Sequence, residues 1–198
     1  MRAISRDSFP HLVDCASRIA GAKWYTFWAR VAASWWGVPL GTDCSFFGRA
    51  RFFRYPGSRI SVGAGCVFRS SHASNSSGIN RPCILSTLRE GAEIEIGRNC
   101  GFSGTVIGCA LRIALSEDVR CGANTSITDT DWHTDDRRTT PDAPVTIERN
   151  VWLGANVTVL KGVTIGENTL VAAGSIVTRS LPPNVIAGGT PAKVIRSI

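Results

Sequence analysis

Residues 147–177 read IERNVWLGANVTVLKGVTIGENTLVAAGSIV, and an apolar residue returns at every sixth position: Ile147, Leu153, Val159, Ile165, Val171 and Val177. Three positions after the first five of these stand Asn150, Asn156, Gly162, Asn168 and Gly174. Asn and Gly are the residue types that adopt positive φ at the least steric cost. A short apolar strand, a forced turn and another strand, repeated every six residues, describe a coil of triangular section. Three hexapeptides close one coil, so residues eighteen apart stack: Ile147 on Ile165, Leu153 on Val171, Val159 on Val177. That period belongs to a parallel β-helix. An amphipathic helix would show 3.6 and an antiparallel strand 2.

The same phase recurs upstream in Val62 with Gly65, Ile96 with Asn99, Leu115 with Asp118 and Cys121 with Asn124. The repeat is therefore expected over residues 60–198, as an all-β domain interrupted once by an insert at 128–144. Residues 1–59 are expected to form an N-terminal helical extension and lead-in. Within them, 8–37 places apolar residues at three- and four-residue spacing, which predicts one or two amphipathic helices ended by Gly37, Pro39 and Gly41. A helix packed on its own domain or on a neighbouring subunit is the first reading. The second is a peripheral membrane contact, because Trp24, Trp28, Trp35 and Trp36 alternate with Arg18, Lys23 and Arg30.

Composition narrows the function. Of the 198 residues, 43% are hydrophobic and 19% charged, so a sizeable core is expected and disorder is not. No apolar run reaches membrane-spanning length, and MRAISRDSFPHLVD lacks the apolar stretch of a signal peptide, so the expected location is cytoplasmic, with a membrane-peripheral variant. The net charge is +7, and only three of the basic residues are lysines (Lys23, Lys161, Lys193). Scattered arginines suit phosphate or carboxylate groups better than a nucleic-acid track, and no nucleic-acid partner is expected. The seven cysteines form no CxxC pair and no zinc spacing, and read as reduced, mostly buried side chains.

The insert, TDTDWHTDDRRTTPDAP, holds Trp132 and His133 among the acids Asp129, Asp131, Asp135, Asp136 and Asp142. A polar loop on a rigid scaffold is where function collects. A histidine, with an ordinary pKa of about 6.5, can take a hydroxyl proton during acyl transfer, and a neighbouring carboxylate can orient it. His133 is thus the candidate base and Asp131 the candidate orienting acid, with Asp129 next. His11 and His72 read as surface or structural residues.

The segment Asn150–Ile198 resembles the C-terminal half of the hexapeptide-repeat acyltransferases, the group of galactoside, maltose and polysaccharide O-acetyltransferases. NVWLG, GVTIG, AAGSIVT and GGTPAKVI carry the resemblance. It implies a left-handed β-helix, a homotrimer and acetyl-coenzyme A as donor, with no metal. It also implies that His133 is the catalytic histidine, that Ala155, Ala173, Thr178, Arg179, Lys193 and Arg196 contact coenzyme A, and that Trp152 lines the reaction centre. Ser103 stands where galactoside enzymes place an acceptor-contacting Asn, so the acceptor is expected to be a sugar hydroxyl of a surface polysaccharide or its precursor, with Ser103, Asp129 and Trp132 facing it. Amino-sugar N-acetylation and a non-catalytic β-helix binding or scaffold protein are the alternatives. A zinc enzyme of the γ-carbonic-anhydrase kind needs three histidines, and the repeat region holds only His72 and His133.

Overall fold

The computed structural model describes residue 6, residues 8–133 and residues 135–198. Its strands assemble into three parallel sheets, the faces of a left-handed β-helix. The first face stacks Ser45–Phe47, Val67–Arg69, Gly101–Ser103, Arg120–Ala123, Trp152–Leu153, Leu170–Val171 and Val185–Gly189, and ends on the antiparallel strand Ala192–Ser197. The second face stacks Arg51–Phe53, Ile84–Thr87, Val106–Cys109, Ser126–Thr128, Thr158–Val159 and Ile176–Val177. The third stacks Arg59–Val62, Glu93–Ile96, Arg112–Leu115, Val145–Ile147 and Thr164–Ile165.

The register is the one the repeat requires. Ile147 pairs with Ile165, Leu153 with Val171 and Val159 with Val177. Each turn residue named from the sequence has positive φ, from 56° at Asn150 to 74° at Gly162. At one corner the asparagines also form a ladder: Asn150 Nδ2 donates to Asn168 Oδ1 (2.9 Å) and Asn168 Nδ2 to Asn184 Oδ1 (3.0 Å). Inward side chains make one continuous core in which Ile60, Ile94, Ile107, Ile127 and Leu153 are fully buried. The inner column of the first face begins with Phe46, Phe68 and Phe102, whose rings stack 4.7 and 4.8 Å apart, and continues as Cys121, Leu153, Val171 and Ala187.

The β-helix begins earlier than residue 60, which corrects the expected boundary. Strands Ser45–Phe47 and Arg51–Phe53 already belong to the first coil, because Phe46 and Phe52 point inward in phase with Phe68 and Leu85. The helical part is a single helix, Phe9–Trp35. It ends in a Schellman arrangement at Gly37 (φ 63°), with Val38 N donating to Ala33 O and Gly37 N to Ser34 O. Ala29 and Ala33 are buried against the first coil, and Phe46 N donates to Thr26 Oγ1. The helix thereby covers one end of the stack, where an open strand edge would otherwise expose unpaired amides.

Asn168 combines a positive φ of 58° with both ladder bonds. Asn168→Ala should lower stability by about 1–2 kcal/mol, because alanine lacks the polar side chain that lets Asn tolerate left-handed backbone and that makes the ladder bonds, and Asn168→Gly by less. Chemical denaturation of the two variants checks the order.

Candidate active site

Two excursions leave the coils, one at each edge of the second face. Residues 70–83 depart between the first and second faces and are held to that corner by Asn124. Asn80 N donates to Asn124 Oδ1 (2.9 Å), and Asn124 Nδ2 to Gly78 O (3.2 Å). Arg81 adds guanidinium bonds to the carbonyls of Asn124 (2.5 Å) and Gly104 (3.2 Å). Buried Ile79 fills the space beside Gly104, where a Cβ would meet it at 3.2 Å.

Residues 129–144 leave at the opposite edge, between the second and third faces. The base of this loop is a buried carboxylate. Asp129 is 0% exposed and accepts from Ala110 N (2.6 Å), Leu111 N (2.8 Å) and the Cys109 thiol (3.3 Å). It clamps the loop to the corner of the preceding coil, which corrects its expected role: a carboxylate with no exposed surface and three donors neither touches an acceptor nor orients His133. Further along, Arg89 pairs with Asp142 at 2.9 Å. Lys161 closes the loop from the next coil, donating to Asp131 Oδ2 and to Thr140 O (2.6 Å).

That closure settles where Asp131 sits. Its carboxylate is taken up by Lys161 and by Thr140 N (3.3 Å), not by the imidazole, so in this structure Asp131 orients the loop rather than His133. The Lys161 ammonium holds its carboxyl below the usual carboxylate range. His133 stands between the two tethered positions, exposed, with its backbone N donating to Asp131 O and its carbonyl accepting from Asp136 N. Trp132 beside it has φ 69° and lays its ring over Gly108 of the second face, where a Cβ would meet the ring at 2.7 Å. Only a glycine at 108 admits the ring in that position, so the Trp132 side chain roofs the face while His133 faces outward.

The remaining candidates distribute along the stack. Ser103 ends its first-face strand beside Gly104 and the 70–83 loop, so the width of the second face separates it from the His133 loop. Trp152 is exposed on the first face between Arg120 and Leu170. Ala155 and Ala173 occupy the same corner one coil apart, with Gly174 N donating to Ala155 O. Backbones approach closely there: a Cβ on Gly154 would lie 2.6 Å from Ala173 N. Thr178 and Arg179 follow the last second-face strand, and Lys193 pairs across from Gly188 on the closing strand. Arg179, Lys193 and Thr178 are exposed, while Arg196 donates to Ser197 O. Among the described residues no three His, Cys, Asp or Glu side chains come close enough together to hold a metal ion.

A cysteine nucleophile within the coils has no support in this geometry, and the partly exposed Cys15, whose thiol lies 3.6 Å from His11 Nε2, belongs to the N-terminal helix. Cys44, Cys66, Cys83, Cys109 and Cys121 are buried, and their thiols are pushed up. Cys66 reaches about 11, first through its hydrogen bond with the Cys100 thiol and then through burial.

Several site residues lay outside the sequence reading: Lys161, Asn124, Arg81 and Gly108. Lys161 had a signal. It lies eighteen residues after Ala143, hence on the corner stacked directly on the end of the insert, and Gly162 N donates to Ala143 O.

Against known proteins, residues 144–179 match the model of the bacterial transferase hexapeptide (six repeats). The galactoside O-acetyltransferase of Escherichia coli (strain K12) is 40% identical over 114 residues, 54% of this chain and 56% of that enzyme. Over these stretches the chain is similar to hexapeptide-repeat transferases. The 2,3,4,5-tetrahydropyridine-2,6-dicarboxylate N-acetyltransferase of Clostridium botulinum (strain Langeland / NCTC 10281 / Type F) is 62% identical over 55 residues, 28% of this chain and 23% of that protein. A solved galactoside acetyltransferase in complex with coenzyme A superposes with a TM-score of 0.51 at 26% identity, over 81% of this chain and 64% of that one. The matched stretches thus span about half or less of the curated relatives' own length.

Because Lys161 depresses the Asp131 carboxyl, the ion pair is present at neutral pH and lost only as pH falls through a value below the usual carboxylate range. Carbon-detected titration of Asp131 should show that low midpoint. Lys161→Met should return it to the ordinary range and remove exchange protection at the Thr140 amide.

Proposed function

We propose that this hexapeptide-repeat protein is an acetyl-coenzyme A-dependent acetyltransferase that moves the acetyl group to a sugar hydroxyl, with His133 as general base. The observation that carries the reading is the His133 loop: an exposed imidazole on a segment tied at Asp129, Asp142 and Lys161, at the edge of a face roofed by Trp132. A base must be held in place yet remain open to its substrate, and an exposed His133 on a loop tied at Asp129, Asp142 and Thr140 supports that role. In the proposed step the imidazole takes the acceptor proton as the hydroxyl oxygen bonds to the thioester carbonyl carbon. The carbon–sulfur bond then breaks, and the imidazolium returns the proton to the departing thiolate.

The donor would lie along the corner of Ala155 and Ala173, where backbone groups serve the amides of the pantetheine arm, with Thr178 and Trp152 alongside. Arg179 and Lys193, both exposed, would receive its phosphates, with Arg196 nearby. Likeness to galactoside O-acetyltransferase over the longer match favours a hydroxyl acceptor, and a polysaccharide or its precursor remains the proposed class, with Ser103 on its far side. The sharper likeness to an N-acetyltransferase is shorter, covering 28% of this chain. A homotrimer, with the donor between neighbouring β-helices, completes the proposal, in which residues from 45 onward form the catalytic unit and the N-terminal helix its extension.

An acetyl-transfer screen over sugar acceptors tests the chemistry. His133→Ala should lower turnover at least about 10²-fold, the scale of general-base catalysis, and leave coenzyme A binding unchanged. Near-normal turnover removes His133 from the role.

The donor assignment is tested separately. Charge-assisted bonds contribute roughly 1.5–3 kcal/mol each, so Arg179→Ala/Lys193→Ala should raise the donor KM by about one to a few powers of ten. The acceptor KM should stay fixed, and the salt sensitivity of donor binding should shrink.

A further inference from the structure

The helix Phe9–Trp35 buries little more than its alanine side, and its outer side is aromatic. Trp24, Trp28, Val31 and Trp35 fall at helical spacing and are 61%, 49%, 44% and 87% exposed. Trp28 meets Trp24 and Phe27 edge-on, with ring centroids 5.8 and 5.5 Å apart. Beside this stripe a cavity of about 560 Å³ is lined by Trp24, Trp28, Trp35, Trp36 and, at its rim, Arg49. Leaving so much aromatic surface in water is unfavourable, and contiguous patches of this kind mark a partner.

Charge identifies the partner. From Cys15 onward the helix carries Arg18, Lys23 and Arg30 and no acid, and the acid before them, Asp14, is paired with Arg18 at 2.6 Å. Lys23 and Arg30 flank the stripe on one side, and Arg49 and Arg51 of the first coil stand exposed on the other. A second copy laid on this face would set cation against cation with no carboxylate between them. A tryptophan stripe between two basic margins fits the boundary of an anionic bilayer, where indole rings sit at headgroup depth and Lys and Arg meet lipid phosphates. No helix among the described residues is long and apolar enough to cross a membrane, so the contact lies in the plane of the surface.

We infer that the outer face of this helix docks the protein onto an anionic lipid surface, with the N-terminal end of the β-helix towards the bilayer. This holds whatever the acceptor is, and does not rest on the role proposed for His133.

Flotation of the full chain with vesicles tests it, using phosphatidylcholine alone and phosphatidylcholine mixed with phosphatidylglycerol. The protein should float with the mixed vesicles, and added salt should release it. Lys23→Glu/Arg49→Glu should weaken that binding at least about tenfold, since each basic residue near such a surface contributes about 1 kcal/mol. Trp28→Ser/Trp35→Ser should weaken it as well, with an unchanged oligomeric state by light scattering. Failure to float with mixed vesicles at low salt overturns the inference. So does a changed oligomeric state in the tryptophan variant, which would assign the face to a second copy; the charge variant keeps the test decisive if the tryptophan variant does not fold.

Discussion

Most corners of these coils turn on residues held at positive φ, and the stacking of the strands is placed by that constraint. With Asn or Gly at the corner the chain bends after each short strand without a steric penalty, so the next apolar side chain lands above the one eighteen residues earlier. Stacked valines, isoleucines and leucines then bury one another completely, and each fully buried side chain contributes about 1.5–3 kcal/mol against exposure. The Asn150–Asn168–Asn184 ladder shows corner residues doing double service, as turn formers and as mutual hydrogen-bond partners.

A scaffold this regular offers few places for chemistry, which explains why the irregular segments matter. Both excursions emerge at the edges of the same face, and each is fastened by polar side chains as well as by a packed apolar one: residues 70–83 through Asn124, Arg81 and Ile79, residues 129–144 through Asp129, Asp142, Lys161 and Trp132. Fastening by directed bonds leaves the loop tips open. His133 stands on the outside of such a tip, and Trp132 folds back onto Gly108 to fix the direction of the chain between them.

Much of this was legible in the residues, because a six-residue period leaves an unmistakable trace wherever strands and turns are uniform. From Ile147 to Val177 the register and the turns at Asn150, Asn156, Gly162, Asn168 and Gly174 follow from it, while the last coil shortens, pairing Val171 with Ala187. The first coil escaped notice because its inward residues are Phe46 and Phe52, followed by an eight-residue step to Ile60 that breaks the period. Asp129 was misread for a different reason. Strand alternation from inward Ile127 through outward Thr128 makes Asp129 point inward, and that parity outweighs its polarity once two backbone amides wait inside to satisfy it. Asp131 could not be assigned from spacing at all, since its partner Lys161 is thirty residues away and is brought near only by the stacking of coils.

The central claim is that one face of a β-helix, bounded by two tethered loops, and the corner beside its last coils together make a donor and acceptor site. Hydrogen exchange measured with and without acetyl-coenzyme A tests it most directly. The account predicts new protection at the corner around Ala155 and Ala173, at Thr178–Arg179 and around Lys193, with the Phe9–Trp35 helix unchanged. Protection confined to that helix or to the third face, or none at saturating donor, would contradict it.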